Sequence, residues 1–399
     1  MKRRVSLMGL VLVLAVGTAS AQWTKSLGVN TSYDANAFRN YQGLSDYATR
    51  FSWYLAKDGG GETWQSRFFY RGSFILFAQY DERNYHAHRG GVALSRRLSE
   101  NGDVLNVGLN AGLRANGELY DYYDFKEVSA YGNVKWYAGV ASIVQLGYKL
   151  RARSYDNLPE LTYAEHTLFG RYTHFLPTKT TVMLEANLGR KQYRQTLTQS
   201  GTFPGSEDGG YGRHRGGMGH MGRGLGDMYA GTGTQAAVSQ LVAQLRLAQS
   251  LTSTTGLSVD LLLRRNPGDG IRYLAGQVSG YTTEDELFDD RYGYESEELA
   301  GTLTQLLPWN LTLKAGFEAR WKDYVNRPAL DLNGEPLPTG ELRRDRQLFG
   351  WLTLSKSFDL HHGRYLDFIA TFDWVDNRSN DPYYVYRASV VSVGVSTSF

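Results

Sequence analysis

The sequence predicts an all-β fold: a transmembrane, antiparallel, up-and-down β-barrel of about sixteen strands, within a range of fourteen to eighteen. Three observations predict it: a period-two alternation of apolar and polar residues along most of the chain, links that alternate between short and long, and the composition. The 399 residues include 45 Gly and 28 Tyr but no Cys. Without Cys, disulfide scaffolds and thiolate chemistry are excluded.

Residues 1–21 are interpreted as a cleaved secretory signal peptide, which leaves residues 22–399 as a single barrel domain. A charged segment at residues 2–4 precedes a short apolar core at residues 5–16 and a small-residue cleavage site at residues 19–21. The three cations of the first segment account for the whole formal charge of +3. The mature chain is therefore balanced in charge, which disfavours nucleic acid as a partner. The expected location is the bacterial outer membrane, reached by Sec-type export.

Strand segments are recognised by long runs of strict alternation. In residues 310–322, Leu, Ala, Phe and Trp occupy every second position and polar or charged residues occupy the others. Residues 104–115 and 365–374 repeat the pattern, which a strand produces when one face is apolar and the other is wet. Sixteen such segments start near residues 24, 46, 62, 85, 102, 122, 140, 163, 179, 235, 255, 294, 309, 343, 363 and 386.

The links between these segments alternate between tight turns and longer polar or aromatic stretches. This alternation is typical of a meander with one tight rim and one elaborated rim, as in membrane barrels. Strands in lipid must close on themselves because an open edge leaves backbone amides without partners. Aromatic residues near strand ends are expected to form interfacial girdles. They are Trp53, Tyr54, Trp136, Tyr137, Trp309, Trp321, Tyr324 and Trp374.

The last segment alternates through Val391, Val393 and Val395 and ends at Phe399. Together with the signal peptide and the sixteen segments, this ending resembles that of bacterial outer-membrane β-barrel proteins, including porins. The resemblance implies that the lipid bilayer of the outer membrane surrounds the barrel. It also implies that the barrel-assembly machinery reads these four residues as an insertion signal.

A narrower similarity concerns residues 374–386, WVDNRSNDPYYVY. They are similar to the ends of barrel domains in exopolysaccharide-export outer-membrane proteins. This similarity implies a polysaccharide cargo and periplasmic or inner-membrane export partners. Because the strand pattern already begins at Trp23 in this chain, such partners would have to provide the periplasmic portion of an export system.

The polar faces of the strands are expected to line a water-filled lumen, because a charge facing lipid at mid-depth costs roughly 2–4 kcal/mol. Basic residues predominate there, which favours anionic solutes. If opposite charges pair across neighbouring strands, they would instead only stabilise the wall. The sequence leaves both alternatives, anion selectivity and wall stabilisation, open. The predicted lumen-lining residues are Arg50, Arg114, Lys135, Lys149, Arg151, Lys191, Arg246, Arg264, Lys314, Glu318, Arg320, Lys322, Asp367 and Asp373.

Three links are long enough to fold inward and narrow the lumen: residues 193–234, 266–293 and 323–342. The first contains a Gly-rich stretch and is interpreted as a surface loop rather than a domain boundary. General porins constrict with their third loop, whereas the corresponding link here, residues 116–121, is short. A gate, if present, is therefore expected later in the chain.

Other chemistry has weaker support. The acidic residues within 285–298 could bind a divalent cation through oxygen ligands or could simply be solvated. His and Met residues between 214 and 228 are soft-metal ligands, but their spacing is irregular. His166 and His174 have no nucleophile fixed beside them. We therefore predict no catalytic residue, no metal site, no cofactor and no enzymatic activity.

Three functions remain open at this point. The first is a channel for hydrophilic solutes, with anions as one option. The second is an export conduit for a secreted polysaccharide that works with envelope partners. The third is a structural or adhesive surface barrel with a closed lumen. The size of the barrel and its charged lumen favour the channel.

Overall fold

The computed structural model describes residues 22–194, 229–230, 237–267, 274–275, 290–360 and 363–399. The predicted signal peptide, residues 1–21, and most of the Gly-rich link lie outside the described residues. In chain order the strands are β1 (Gln22–Asp34), β2 (Asp46–Gly60), β3 (Trp64–Phe77), β4 (Tyr85–Arg97), β5 (Val104–Asn116), β6 (Phe125–Tyr137), β7 (Ser142–Tyr155), β8 (Tyr163–Phe175), β9 (Thr180–Tyr193), β10 (Tyr229–Ala230), β11 (Ala237–Ser250), β12 (Thr255–Arg265), β13 (Leu274–Ala275), β14 (Tyr294–Leu307), β15 (Leu311–Pro328), β16 (Leu342–Asp359), β17 (Tyr365–Ser379) and β18 (Tyr386–Ser398).

Sixteen of these strands form one closed antiparallel barrel, and the short strands β10 and β13 pair only with each other. Each barrel strand pairs with its neighbours along the chain, and β1 closes the ring against β18 from Ser26 opposite Ser398 to Asp34 opposite Val390. The predicted fold class and strand count are confirmed. Closure removes the free strand edges that would otherwise expose unpaired amides.

The outward face of the barrel is apolar. Leucines in mid-strand are widely exposed on it, with Leu109 at 52%, and Leu168 and Leu188 both at 56%. The outward residues of β18 continue this belt, with Val393 at 56%. Exposing a contiguous apolar belt of this kind to water is unfavourable, whereas the hydrocarbon chains of a bilayer cover it. Among the described residues, no helix has the length and apolar character needed to cross a membrane.

One rim of the barrel consists of tight turns. Gly102, between β4 and β5, and Gly139, between β6 and β7, adopt φ angles of 90° and 83°, which residues with a side chain rarely tolerate. The chain also ends at this rim, where Phe399 and Lys25 exchange two backbone hydrogen bonds of 2.9 Å. Short turns and termini are typical of the periplasmic rim of bacterial barrels, so the opposite rim, with the longer links, is the outer one.

Two strands break the simple alternation because apolar rings also lie on the inward face. On β16, Phe349 and Trp351 point inward, and the Trp351 ring covers Gly316 of β15. On β3, Ile75 and Phe77 are inward and buried, and they pack with Ala48 of β2 and Tyr85 of β4 near the outer rim. Period-two patterns weaken where both faces of a strand are apolar.

The predicted aromatic girdle is wrong for part of its members. Tyr54 lies opposite Arg71 on the inward face, and Tyr324 is inward and 4% exposed. Trp53 does face outward, but at the middle of β2 rather than at its end. Trp136, Trp321 and Trp374 lie on the outward face by register. Adjacent aromatic residues in a strand necessarily point to opposite faces, so paired aromatics cannot both belong to a girdle.

Candidate functional site

All fourteen residues predicted to line the lumen lie on the inward face of the sheet. Strand register joins them across the wall, with Arg151 opposite Glu165, Arg246 opposite Asp260 and Lys314 opposite Thr304. The four predicted residues of the insertion signal, Val391, Val393, Val395 and Phe399, are instead exposed, at 48%, 56%, 38% and 47%. Their role in insertion stays a prediction.

Many inward cations are paired with acidic residues of neighbouring strands. Arg246 Nε lies 2.6 Å from Asp260 Oδ1, and Arg320 Nε lies 3.2 Å from Glu298 Oε2. Arg153 contacts Glu127 at 2.7 Å. Sequence reasoning missed Glu127 and Glu165, which lie on strands with less regular alternation. It also grouped Glu298 with an acidic loop cluster, whereas Glu298 is on the inward face of β14. Cross-strand pairing therefore accounts for part of the basic excess.

Some inward charges keep no ion-pair partner among the described residues. They include the cations Arg50, Lys149 and Lys314 and the carboxylates Asp367 and Asp373. Lys149 is exposed to the lumen and faces Thr167 of β8. These side chains provide charge that a permeating solute can meet, because no salt bridge satisfies them.

A short turn projects from the wall into the barrel and contacts inward side chains of β8 and β9. Arg291–Gly293 is a single 3-10 turn just before β14, and the Asp290 carboxylate caps it by accepting the Tyr292 backbone N–H at 3.1 Å. Asp290 also forms a buried ion pair with Lys191 of β9. The turn is the described end of the link at residues 266–293, so this link does enter the lumen.

Glu165 of β8 anchors that turn to a part of the wall four strands away from β14. Its Oε2 accepts the Arg151 Nε–H at 2.8 Å, and its Oε1 accepts the Tyr292 hydroxyl at 2.9 Å. The same oxygen Oε1 pairs with Arg291. Burial, and then the Glu165 carboxylate, raise the pKa of Tyr292 well above its ordinary value, so the phenol remains a neutral donor. Three donors on one buried carboxylate give a rigid junction.

Two amide side chains hold the backbone of the same turn. Asn266 donates from Nδ2 to the carbonyls of Tyr292, at 2.9 Å, and Tyr294, at 2.6 Å. Gln240 donates from Nε2 to the Arg291 carbonyl at 2.6 Å. Both amides are buried. The turn is thus held by its backbone as well as by its charged side chains.

Gly189 of β9 makes room for the turn. A Cβ built on Gly189 would collide with the Tyr292 hydroxyl. We expect Gly189→Ala to push Tyr292 off Glu165 and to loosen the turn at a cost of about 1–3 kcal/mol, because overpacking displaces the more movable partner. Faster hydrogen exchange of the Tyr292 and Gly293 amides, with unchanged exchange in β9, would verify this. Gly170→Ala is the control, since its Cβ would meet only the flexible end of Leu146 at 3.1 Å. Equal exchange in both variants would contradict the expectation.

A cavity of about 550 Å³ lies against the turn inside the barrel. Its wall combines cations, carboxylates, amides and a few aromatic rings, a lining that suits a small polar solute. The charged residues that line it are Lys149, Glu165, Arg171, Glu185, Arg264 and Arg291.

Aromatic residues close over the outer mouth from several sides. One buried cluster combines Leu158 and Leu161, between β7 and β8, with Tyr384, between β17 and β18. These turns lie on opposite sides of the closed strand order. The other members are Tyr122, Tyr123, Phe125, Tyr155, Tyr163, Tyr193, Val238 and Tyr292. The cluster narrows the mouth, and it joins strand residues to three shorter links that the sequence analysis did not name as able to fold inward.

Arginine side chains are built into this mouth. The Arg343 guanidinium lies 3.3 Å from the centre of the Tyr384 ring and 4.4 Å from that of Tyr324, and it pairs with Asp345. On the β1–β2 side, Arg83 lies 4.5 Å from the rings of both Phe38 and Phe77. The Tyr-rich turn at residues 118–123 and the PYY of residues 382–384 are the sequence signals that could have pointed to this closure.

The weaker sequence candidates are resolved only in part. Asp290 is the described member of the acidic stretch at residues 285–290, and it pairs with Lys191. The His and Met residues between 214 and 228 lie outside the described residues. His166 and His174 face outward beside Tyr148 and Tyr172. Within the described ranges, no group of three or more metal-ligating side chains is placed to hold an ion.

Comparison with protein-family profiles and with curated proteins finds no match. Among solved structures, the chain is similar to the outer membrane protein OpdK from Pseudomonas aeruginosa, with a TM-score of 0.51, 9% identity, and coverage of 95% of this chain and 99% of that one. It is also similar to Pseudomonas aeruginosa OpdQ, with a TM-score of 0.50, 11% identity, and coverage of 96% and 99%. The shared fold is that of sixteen-stranded outer-membrane porins, so the predicted resemblance to outer-membrane barrels is confirmed. The similarity to exopolysaccharide-export barrels finds no support here.

Proposed function

We propose that the protein is an outer-membrane channel through which small hydrophilic solutes, anions in preference to cations, cross the bacterial outer membrane. The observation that carries this proposal is the polar cavity held open beside the Arg291–Gly293 turn, inside a closed barrel whose outer surface is apolar. A lumen built only to stabilise the wall would have no reason to keep a charged cavity of about 550 Å³.

Preference for anions is supported by the charges that remain unpaired. Lys149 borders the cavity without a salt bridge, and Arg50 and Lys314 lie on other strands of the inward wall. The unpaired carboxylates Asp367 and Asp373 lie on β17, away from the cavity. A fixed cation beside a narrow path raises the local concentration of anions and lowers that of cations.

Single-channel recording of the refolded protein in a planar bilayer tests the proposal. We expect small steady currents and a reversal potential in a KCl gradient that corresponds to chloride passing more readily than potassium. A cation-selective current would contradict the anion preference but would still agree with a channel. A barrel that folds and inserts but conducts nothing would overturn the channel itself, and a surface role with a closed mouth would replace it.

Lys149→Gln isolates the contribution of the cavity lysine. We expect the chloride-to-potassium permeability ratio to fall by about twofold or more, because the cavity wall loses a positive charge that no salt bridge compensates. Lys126→Gln is the matched control. Lys126 is also an exposed lysine, but it faces outward at the outer rim, 2.9 Å from Asp156. Equal shifts in both variants would show that overall charge, rather than the cavity, sets selectivity.

A further inference from the structure

Four arginines form a basic patch on the lipid-facing side of β16–β18, near the rim with the longer links. We call it the arginine patch: Arg344, Arg346, Arg378 and Arg387. All four side chains lie on the lipid-facing side by register. The side chains of Arg344, Arg378 and Arg387 are 71%, 73% and 74% exposed. Four guanidinium groups therefore point into the region where the lipid headgroups of the outer leaflet meet water.

Strand register brings two of these arginines face to face. Arg346 of β16 is directly opposite Arg378 of β17. Like charges in directly opposite positions are destabilising unless a counter-charge lies between them. Arg346 forms no ion pair with any described residue, and the described counter-charge of Arg378 is Asp376, at 3.7 Å. The arrangement favours an anion that both guanidinium groups can contact.

The acidic residues nearby do not neutralise the patch. Asp376 is shared between Arg378, at 3.7 Å, and Arg387, at 3.5 Å. Asp323 lies 3.6 Å from Arg344, and its side chain is 75% exposed. The arginine side chains of these pairs are exposed and no pair is closer than 3.5 Å, so the pairs contribute little, although Asp376 itself is largely buried. The patch keeps a net positive charge and several free donor groups.

Deeper in the membrane, below Asp376, the outward wall is apolar. Leu352 on β16, Phe372 on β17 and Val391 on β18 are 43%, 45% and 48% exposed on the same outward face. A ligand that places anionic groups on the arginines would therefore lay its remaining length along these three side chains. That combination of charged head and apolar tail describes a lipid rather than a soluble anion.

We propose that the arginine patch binds the phosphorylated headgroup of an outer-leaflet glycolipid, whose acyl chains pack on the apolar wall of β16–β18. Phosphate suits the site because guanidinium groups bind its oxygens in pairs, through charge-assisted hydrogen bonds. Arg346 and Arg378 bracket one phosphate, and Arg344 and Arg387 flank it. This binding is independent of solute passage, since the patch lies on the opposite face of the sheet from the lumen.

Native mass spectrometry of the folded protein in detergent, titrated with diphosphoryl lipid A, tests the proposal. We expect Arg346→Gln/Arg378→Gln to weaken binding by about tenfold or more, since two charge-assisted contacts are lost. The matched control is Lys126→Gln/Arg190→Gln, which removes two outward basic residues at the outer ends of β6 and β9. This control should bind like the unchanged protein.

Two further readouts make the result decisive. Removing one phosphate from the lipid should weaken binding to the unchanged protein more than to the double arginine variant. Single-channel conductance should be the same in both proteins, which separates lipid binding from the proposed channel. Equal losses in the arginine and control variants, or binding of uncharged lipid as tight as that of lipid A, would overturn the assignment.

Discussion

Replacing Glu165 with Gln is expected to raise the anion-to-cation permeability ratio about twofold or more and to loosen the Arg291–Gly293 turn. Glu165 accepts contacts from Arg151, Arg291 and Tyr292 and is 2% exposed. Removing one partner of a buried ion pair costs about 3–5 kcal/mol, because the other charge is left without compensation. Arg291, which lines the cavity, would then lose its described ion-pair partner and add positive charge to the path. Reversal potentials and hydrogen exchange of the turn amides measure the two effects.

Glu185→Gln provides the control for this experiment. Glu185 lines the same cavity and pairs with Arg171 at 2.6 Å, but no described contact joins it to the turn. We expect both variants to shift the reversal potential towards anions, whereas only Glu165→Gln accelerates exchange at the turn. If exchange at Tyr292 stays as slow as in the unchanged protein, Glu165 is not the anchor that the geometry indicates.

Arg343→Ala is expected to open the outer mouth, with a local loss of about 3–5 kcal/mol. The substitution removes a guanidinium that is stacked between Tyr384 and Tyr324, and it leaves the Asp345 carboxylate buried at 3% exposure. Tyr384 then loses its stacking contact with Arg343 of β16. Conductance should increase, and protease should cut the link at residues 329–341 faster.

A second variant separates charge from packing at the same site. Arg343→Met/Asp345→Leu replaces the buried pair with apolar side chains, a change that is often neutral or stabilising. We expect it to restore resistance to protease towards that of the unchanged protein. Arg344→Ala is the exposed control, because its side chain faces outward and is 71% exposed. Faster cleavage in that control would mean that the link responds to any change in this strand.

The barrel itself could be predicted from sequence because its main signal is local. Alternation assigns each side chain of a strand to one of two faces, and this needs no knowledge of the neighbouring strand. For that reason Lys314, Glu318 and Arg320 could be placed on the inward face from the pattern of residues 310–322 alone. Strand pairing followed from the order of the chain, because short and long links permit only an up-and-down meander.

Mixed strands mark the limit of that reasoning. Phe349 and Trp351 are inward although apolar, because Gly316 on the neighbouring strand leaves space for an indole ring. Glu127 and Glu165 were missed for a related reason, since their strands alternate less regularly. Their partners Arg153 and Arg151 were visible in the sequence, but the pairing depends on which strands are adjacent and in what register.

The chain's alternation and its link lengths determine a sixteen-stranded membrane barrel with a wet interior, because each depends on neighbours in sequence. The entry of Asp290 and Tyr292 into the lumen, and the meeting of Leu158 with Tyr384 across the mouth, depend on barrel closure. Closure brings residues far apart in the chain within a few ångströms of one another. The arginine patch arises in the same way, because the register of three strands sets Arg346 opposite Arg378. Contacts of this kind have no periodic signature in the sequence, since their energy comes from packing and charge between distant segments.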